Sequence, residues 1–149
     1  MSLVPTIRLL KPTDVDAVVA IDGKITGTAR PEYYAHKLEV ANLREAHINA
    51  SLVAEADGKV VGFLMATLFL GEFGIPEASA LIDTVGVDPS CQDHGVGSAL
   101  VEQFRSNMRV AGVERVYTLV DWTDLGLLKF FAHAGFTPSQ RLNLELQVR

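Results

Sequence analysis

The chain has 149 residues, 13 Lys plus Arg against 18 Asp plus Glu, and a formal net charge of −5. A length within roughly 100–200 residues fits one domain over 1–149, and 48% apolar residues with 6 Pro argue for a packed core rather than disorder. The acidic balance argues against a nucleic-acid partner, which is met by a basic face, and against docking on an anionic membrane.

The N-terminus shows no basic region followed by a long apolar one, so no secretory signal is expected. Thr6–Leu10 is a short strand. Thr13 or Asp14 can cap a helix, since a side-chain oxygen there accepts a free first-turn N–H. Val15, Val18, Val19 and Asp22 share one face of that helix, which fades near Gly23 and Gly27. Pro31 suits the first position of a second helix, with Tyr34, Leu38, Ala41 and Glu45 following at three- and four-residue spacing. Leu52–Ala56, Asp57-Gly58 and Val60–Leu70 read as a hairpin with a tight turn. The longest apolar run, Phe63–Leu70, falls far short of the ~20 residues of a membrane span. Gly71–Ala78 is a loop, and Ser79–Val87 is a third strong strand.

A helix then begins near Gly95, with Val96, Leu100, Phe104 and Met108 forming its apolar face. Val113–Val120 is a strand. Asp124–Ala134 is a helix that is apolar almost all round, so it should be largely buried, and Gly135 caps its end. Arg141–Val148 alternates Leu142, Leu144, Leu146 and Val148 with polar residues, which reads as a final half-buried strand. The order β-α-α-β-β-β-α-β-α-β implies an α/β (α+β) fold, a mixed sheet with helices on its faces.

Chemistry concentrates where the fourth strand, Ser79–Val87, meets the following helix. Gln92-Asp93-His94-Gly95-Val96-Gly97-Ser98 opens that helix with two glycines. First-turn N–H groups lack helical partners and the helix dipole is positive there, so such a start receives anions. The spacing alone also fits a plain strand-to-helix turn. The segment completes neither G-x-G-x-x-G nor a Gly-Lys-Ser/Thr phosphate loop, and the chain has no G-x-S-x-G elbow. His36, His47, His94 and His133 show no ligand spacing, so no metal is expected. Cys91 is the single cysteine; it excludes an internal disulfide framework, fits a reducing compartment such as the cytoplasm, and has no activating partner in the sequence.

Gln92-Asp93-His94-Gly95-Val96-Gly97 matches the Q/R-x-x-G-x-G/A signature of the GNAT superfamily of N-acetyltransferases. The preceding Val85-Gly86-Val87-Asp88-Pro89 and the later Phe130-Phe131-Ala132-His133-Ala134-Gly135-Phe136 resemble that family's cofactor strand and its F-Y-x-x-x-G-F segment. The resemblance runs over essentially the whole chain. It implies a mostly antiparallel mixed sheet and acetyl-CoA as co-substrate. Val85, Gly86 and Val87 would line the pantetheine arm. Gln92, Asp93, His94, Gly95, Val96, Gly97 and Ser98 would hold the pyrophosphate, with Asp124 and Phe131 at the downstream cofactor contacts.

The implied reaction is attack of a primary amine on the thioester. An ammonium must first lose a proton, so a general base is needed. Asp83 falls where the family's strand carboxylate commonly sits, and Glu77 on the preceding loop is the second candidate. Each also reads as an ordinary polar residue. Asp22, Tyr33 and Tyr34, with Arg30 nearby, fall where the family shapes its acceptor site; Asp121 and Trp122 sit at the end of the strand opposite the cofactor strand, where they stand near an acceptor entrance or simply close a loop. Two positions depart from the pattern: Phe131 replaces the usual tyrosine acid, and Asp124 replaces an upstream asparagine. A thiolate can leave without an acid, given a thiol pKa of ~8.5, or Tyr33, Tyr34 or Tyr117 can serve. The missing tyrosine also suits a non-catalytic acyl-CoA-binding module on the same fold. The resemblance allows a homodimer through a sheet edge or the last strand.

Overall fold

The computed structural model describes residues 4–43, 50–71 and 74–149. Glu45 of the expected second helix and His47 lie outside them. Residues 1–119 form one compact unit and 120–149 a second. The first unit runs β1 (Thr6–Leu9), a 3-10 turn at Pro12–Asp14, α1 (Val15–Thr26), α2 (Pro31–Leu43), β2 (Leu52–Ala56), β3 (Lys59–Leu70), β4 (Ala78–Val87), a second 3-10 turn at Pro89–Cys91, α3 (Val96–Val110) and β5 (Arg115–Thr118). The second unit holds α4 (Leu125–His133).

The strands lie in sequence order, β1-β2-β3-β4-β5. β1 to β4 pair antiparallel, and β5 joins β4 in parallel after the α3 crossover. Parallel neighbours need a crossover, whereas antiparallel neighbours need only a turn. The Asp57-Gly58 turn takes φ of +52° and +75°, the left-handed pair that a tight hairpin demands. The expected mixed, mostly antiparallel α/β fold is the one observed.

Alternation along β3 divides its side chains between two helical layers. Phe63 and Met65 join Leu10, Val18, Ile21, Tyr34 and Val53 in the core beneath α1 and α2. On the other face, a Cβ at Gly62 would meet Val96 Cγ1 at 2.9 Å and Leu100 Cδ1 at 3.3 Å, so this glycine lets α3 close on the sheet. Val96, Leu100, Phe104 and Met108 are all buried, as their four-residue spacing requires, and Val101 joins them.

Arg8 pins β1 to β2 and to the first turn. It donates to Glu55 Oε1 and, in a fork, to both carboxylate oxygens of Asp14 at 2.8 and 2.9 Å. The Arg8 hydrogen bonds hold the Asp14 carboxyl below its ordinary pKa against the opposing effect of burial.

Two expectations need correction. Arg141–Val148 forms no strand. Alternating apolar residues make a strand only where a ladder takes up the backbone groups. Here Leu142, Leu144, Leu146 and Val148 remain 84–87% exposed. α4 is less buried than its composition suggested: Phe131 is buried, but Leu125 is exposed and Leu127, Leu128 and Phe130 are half-buried.

Candidate active site

β4 changes character at Asp83. Met65 pairs with Thr84 and Ala66 with Ile82, so Asp83 is an extra residue opposite no partner on β3. This is a β-bulge, which re-aims side chains and is enriched beside active sites. The register puts Thr84 beside Met65 and Gly86 beside Phe63, on the α1–α2 face. Asp83 joins them there, and its carboxylate meets the ammonium of Lys37 on α2 and lies 3.5 Å from Thr84 Oγ1.

The other side of β4 opens at the same point. The β4–β5 ladder ends at Ile82 and Thr118. Among the described residues, no strand pairs with Asp83–Val87 on that side. This backbone edge carries N–H and C=O groups of the kind that an extended amide-containing ligand can pair with, as an added strand does. Gly86 has a packing reason as well. A Cβ there would come within 2.6 Å of the Phe63 ring and 3.3 Å of Ile25 Cδ1.

The free edge leads directly into the Gln92–Ser98 loop. Asp88 turns the chain by accepting from the backbone and hydroxyl of Ser90 at 3.0 and 2.8 Å. Lys24 of α1 donates to the same carboxylate at 2.8 Å. Lys24 first, then Ser90, pull the Asp88 pKa down to about 2. Gln92 reaches back to the Val87 carbonyl at 3.4 Å. Asp93 and Gly95 take φ of +66° and +80°. Left-handed residues in such a turn gather N–H groups into a concave anion-receptive surface. No side chain caps α3 at Gly95, so the first-turn donors of Val96, Gly97 and Ser98 face outward from the helix start. A Cβ at Gly95 would meet nothing within 4 Å, so the positive φ, not crowding, selects glycine there.

A second cluster stands on α1 and α2. Asp22 is buried and accepts from Arg30 through a two-bond fork at 2.8 and 2.7 Å, and from the Tyr34 hydroxyl at 2.8 Å. Arg30 lowers the Asp22 pKa most; burial opposes it and Tyr34 adds to it. Burial first, then Asp22, push the Tyr34 hydroxyl up. Tyr34 meets Phe63 and Tyr33 edge-on, with centroids 6.0 and 5.0 Å away. Arg30 and Lys37 both sit over the partly exposed Tyr33 ring, at 4.7 and 5.0 Å. Burial opposes the charge on Lys37, but hydrogen bonds to Asp83 and Tyr33 outweigh it and raise its pKa.

The structure therefore brings Asp22, Tyr33, Tyr34 and Asp83 into one connected network, and places Val85–Val87 and Gln92–Ser98 on one continuous path. The sequence reading missed Lys37 and Lys24. Lys37 lies four residues after Tyr33 on α2, a spacing that puts both on one helix face, and Arg30 stands just before that helix. Asp124 caps α4, accepting from the Leu127 N–H at 3.1 Å. Phe131 packs edge-on between Phe130 and Phe136, with centroids 5.1 and 5.0 Å away. Among the described residues, no three His, Cys, Asp or Glu side chains gather as metal ligands, and no helix is long and apolar enough to cross a membrane.

The acetyltransferase (GNAT) family matches residues 21–136, and the chain belongs to that family, whose members are acyl-transferring enzymes. Among relatives, an N-alpha-acetyltransferase of Sulfurisphaera tokodaii is 29% identical over 87% of this chain and 78% of its own length. An amino-acid acetyltransferase of Mycobacterium tuberculosis is 30% identical over 89% and 68%. A mycothiol acetyltransferase of Beutenbergia cavernae is 32% identical over 74% of this chain, which spans 37% of that protein. In fold, the chain resembles an aminoglycoside N-acetyltransferase solved with CoA, at a TM-score of 0.80 and 16% identity over 100% and 98% of the two chains.

Proposed function

We propose that the chain moves an acetyl group from acetyl-CoA to a primary amine by direct attack, as one acetyltransferase domain. The carrying observation is the free edge of β4 from Asp83 to Val87, followed through the Pro89–Cys91 turn and the Gln92–Gly95 loop by the uncapped start of α3. The edge suits the amides of a pantetheine arm. The outward N–H groups of Val96, Gly97 and Ser98 suit a pyrophosphate. His94 and Gln92 on the exposed loop add side-chain donors to the same anion.

Asp83 is the proposed general base. The bulge turns its carboxylate toward α2, beside the thioester end of the β4 edge. There it takes a proton from the acceptor's ammonium, directly or through one water. The freed amine attacks the thioester carbonyl, the C–N bond forms, the nitrogen gives up its second proton to solvent, and the C–S bond breaks. The thiolate leaves as CoA–S⁻ and is protonated by solvent, consistent with Phe131 lacking a proton to give. Tyr33 and Arg30 form the acceptor wall. Asp22 acts through Arg30 and Tyr34, since both its oxygens are already engaged.

Two assays test this reading. Acetyl-CoA and CoA should each raise the melting temperature, and thiol release should depend on an added amine. Absence of any CoA-dependent shift refutes the proposed site. A second reading, a non-catalytic acyl-CoA-binding module, rests on the buried Phe131. It requires CoA binding without turnover across a broad amine panel, so detected acetyl transfer eliminates it. We extend the proposal to a cytoplasmic homodimer, on the single cysteine and the exposed Leu142–Val148 row. Sedimentation at one protomer mass rejects the dimer.

A further inference from the structure

We infer that the acceptor carries its own anionic group beside the amine and binds by exchanging partners with the Lys37–Asp83 ion pair. This rests on the reading of Asp83 as the carboxylate that receives the acceptor's ammonium.

Asp83 is occupied by the Lys37 ammonium, with side-chain exposures of 34% and 24%. An acceptor ammonium must compete with Lys37 for that carboxylate. If the acceptor brings only a cation, Lys37 is left half-buried beside a second positive charge with no counterion. Removing one member of a partly desolvated ion pair costs more than the pair itself contributes, because the remaining charge stays desolvated. An acceptor with an adjacent carboxylate or phosphate satisfies both sides: its ammonium meets Asp83 and its anion meets Lys37.

The surroundings favour the anion further. Arg30 lies over the same Tyr33 ring as Lys37. Two of its nitrogens, Nε and Nη2, are engaged by Asp22, while its side chain keeps 41% exposure, so its outer edge faces solvent. Arg30, just before α2, and Lys37, on it, therefore place two cations over one aromatic ring, and Lys37 also meets the Asp83 carboxylate. A purely cationic polyamine would meet that pair of cations head-on, and like charges so placed disfavour it.

The test is calorimetric titration of the CoA-saturated protein with matched amines. L-Alanine, L-leucine and L-glutamate are compared with their α-carboxamides, and 2-aminoethyl phosphate with ethanolamine; these arms separate carboxylate from phosphate. At least one anion-bearing member should bind 10-fold or more tightly than its neutral counterpart. Lys37→Met should shrink that ratio below about 3-fold, Lys37→Arg should largely keep it, and CoA affinity should not change in either variant, which controls for folding. Equal or tighter binding of the neutral members, no binding by any member, or a ratio that survives Lys37→Met overturns the inference. The two proposals fail separately. Anion preference without acetyl transfer sinks catalysis and keeps this inference. Transfer to amines without anion preference does the reverse.

Discussion

Removing the Asp22 carboxylate should weaken both the fold and the acceptor wall by an amount set by its three hydrogen bonds. In Asp22→Ala the Tyr34 hydroxyl, on a residue 1% exposed, loses its acceptor. A buried donor left unsatisfied costs about 1–3 kcal/mol. Arg30 is 41% exposed and can turn to water, so its lost ion pair adds up to ~1 kcal/mol. A central loss near ~2.5 kcal/mol corresponds to a melting-point drop of roughly 5–10 °C for a chain of this size.

The effect must also depend on pH. Arg30 and Tyr34 hold the folded-state pKa of Asp22 below its ordinary value. Such a group stabilises the fold fully above the unfolded pKa of ~3.9, and loses that contribution as pH falls toward the folded value. Urea unfolding of wild type, Asp22→Ala and Asp22→Asn should show the full gap at pH 7 and a narrowing gap below about pH 4. Asp22→Asn keeps an oxygen for Tyr34, so it should lose less than Asp22→Ala. A gap that stays constant to pH 3.5, or no gap at pH 7, refutes the assignment.

Asp83→Asn should lower kcat for amine acetylation by ~10²–10⁴-fold while leaving CoA affinity unchanged; an unaltered kcat/KM across pH 6–9 removes Asp83 from the chemistry. Gly86→Ala forces a methyl within 2.6 Å of the buried Phe63 ring. It should cost about 1–3 kcal/mol of stability by overpacking, read as a lower urea midpoint at unchanged slope. Gly95→Ala meets no steric neighbour but must hold φ near +80°, a strain of ~1–2 kcal/mol. Its relief would move the first-turn donors, so CoA should bind more weakly with little change in kcat at saturation; an unchanged CoA Kd refutes the loop assignment.

Much of this was legible in the residue order. Val96, Leu100, Phe104 and Met108 announced α3 and its buried face, and Asp57-Gly58 announced the hairpin. The Gln92–Ser98 loop was legible because its glycines answer a backbone requirement, at least at Gly95. The bulge was not. Period-two alternation would give Asp83 and Thr84 opposite faces. Only the pairing of Met65 with Thr84 and Ala66 with Ile82 reveals that both turn toward α2. Lys37 was passed over for the same reason: a helix-surface lysine looks ordinary until a carboxylate from a distant strand is placed beneath it. Arg141–Val148 failed in the opposite direction, because alternation states which side chains would share a face but says nothing of whether a ladder exists to make the strand.

The net charge of −5 gains a different meaning from these placements. Arg8, Lys24, Arg30 and Lys37 are each committed to a carboxylate. At Arg8 and Lys24 these pairs brace the fold around the site, and they leave the pyrophosphate to backbone donors at the start of α3. At Arg30 and Lys37 the same pairing stands over the proposed acceptor site, where it excludes a simple cation until a partner is exchanged. The proposed division is thus backbone dipoles for the co-substrate and one exchangeable ion pair, Lys37–Asp83, for the acceptor. It accounts for how an acidic chain can hold a polyanion at one end of β4 and discriminate among amines at the bulge, five residues before the strand meets the loop at Asp88.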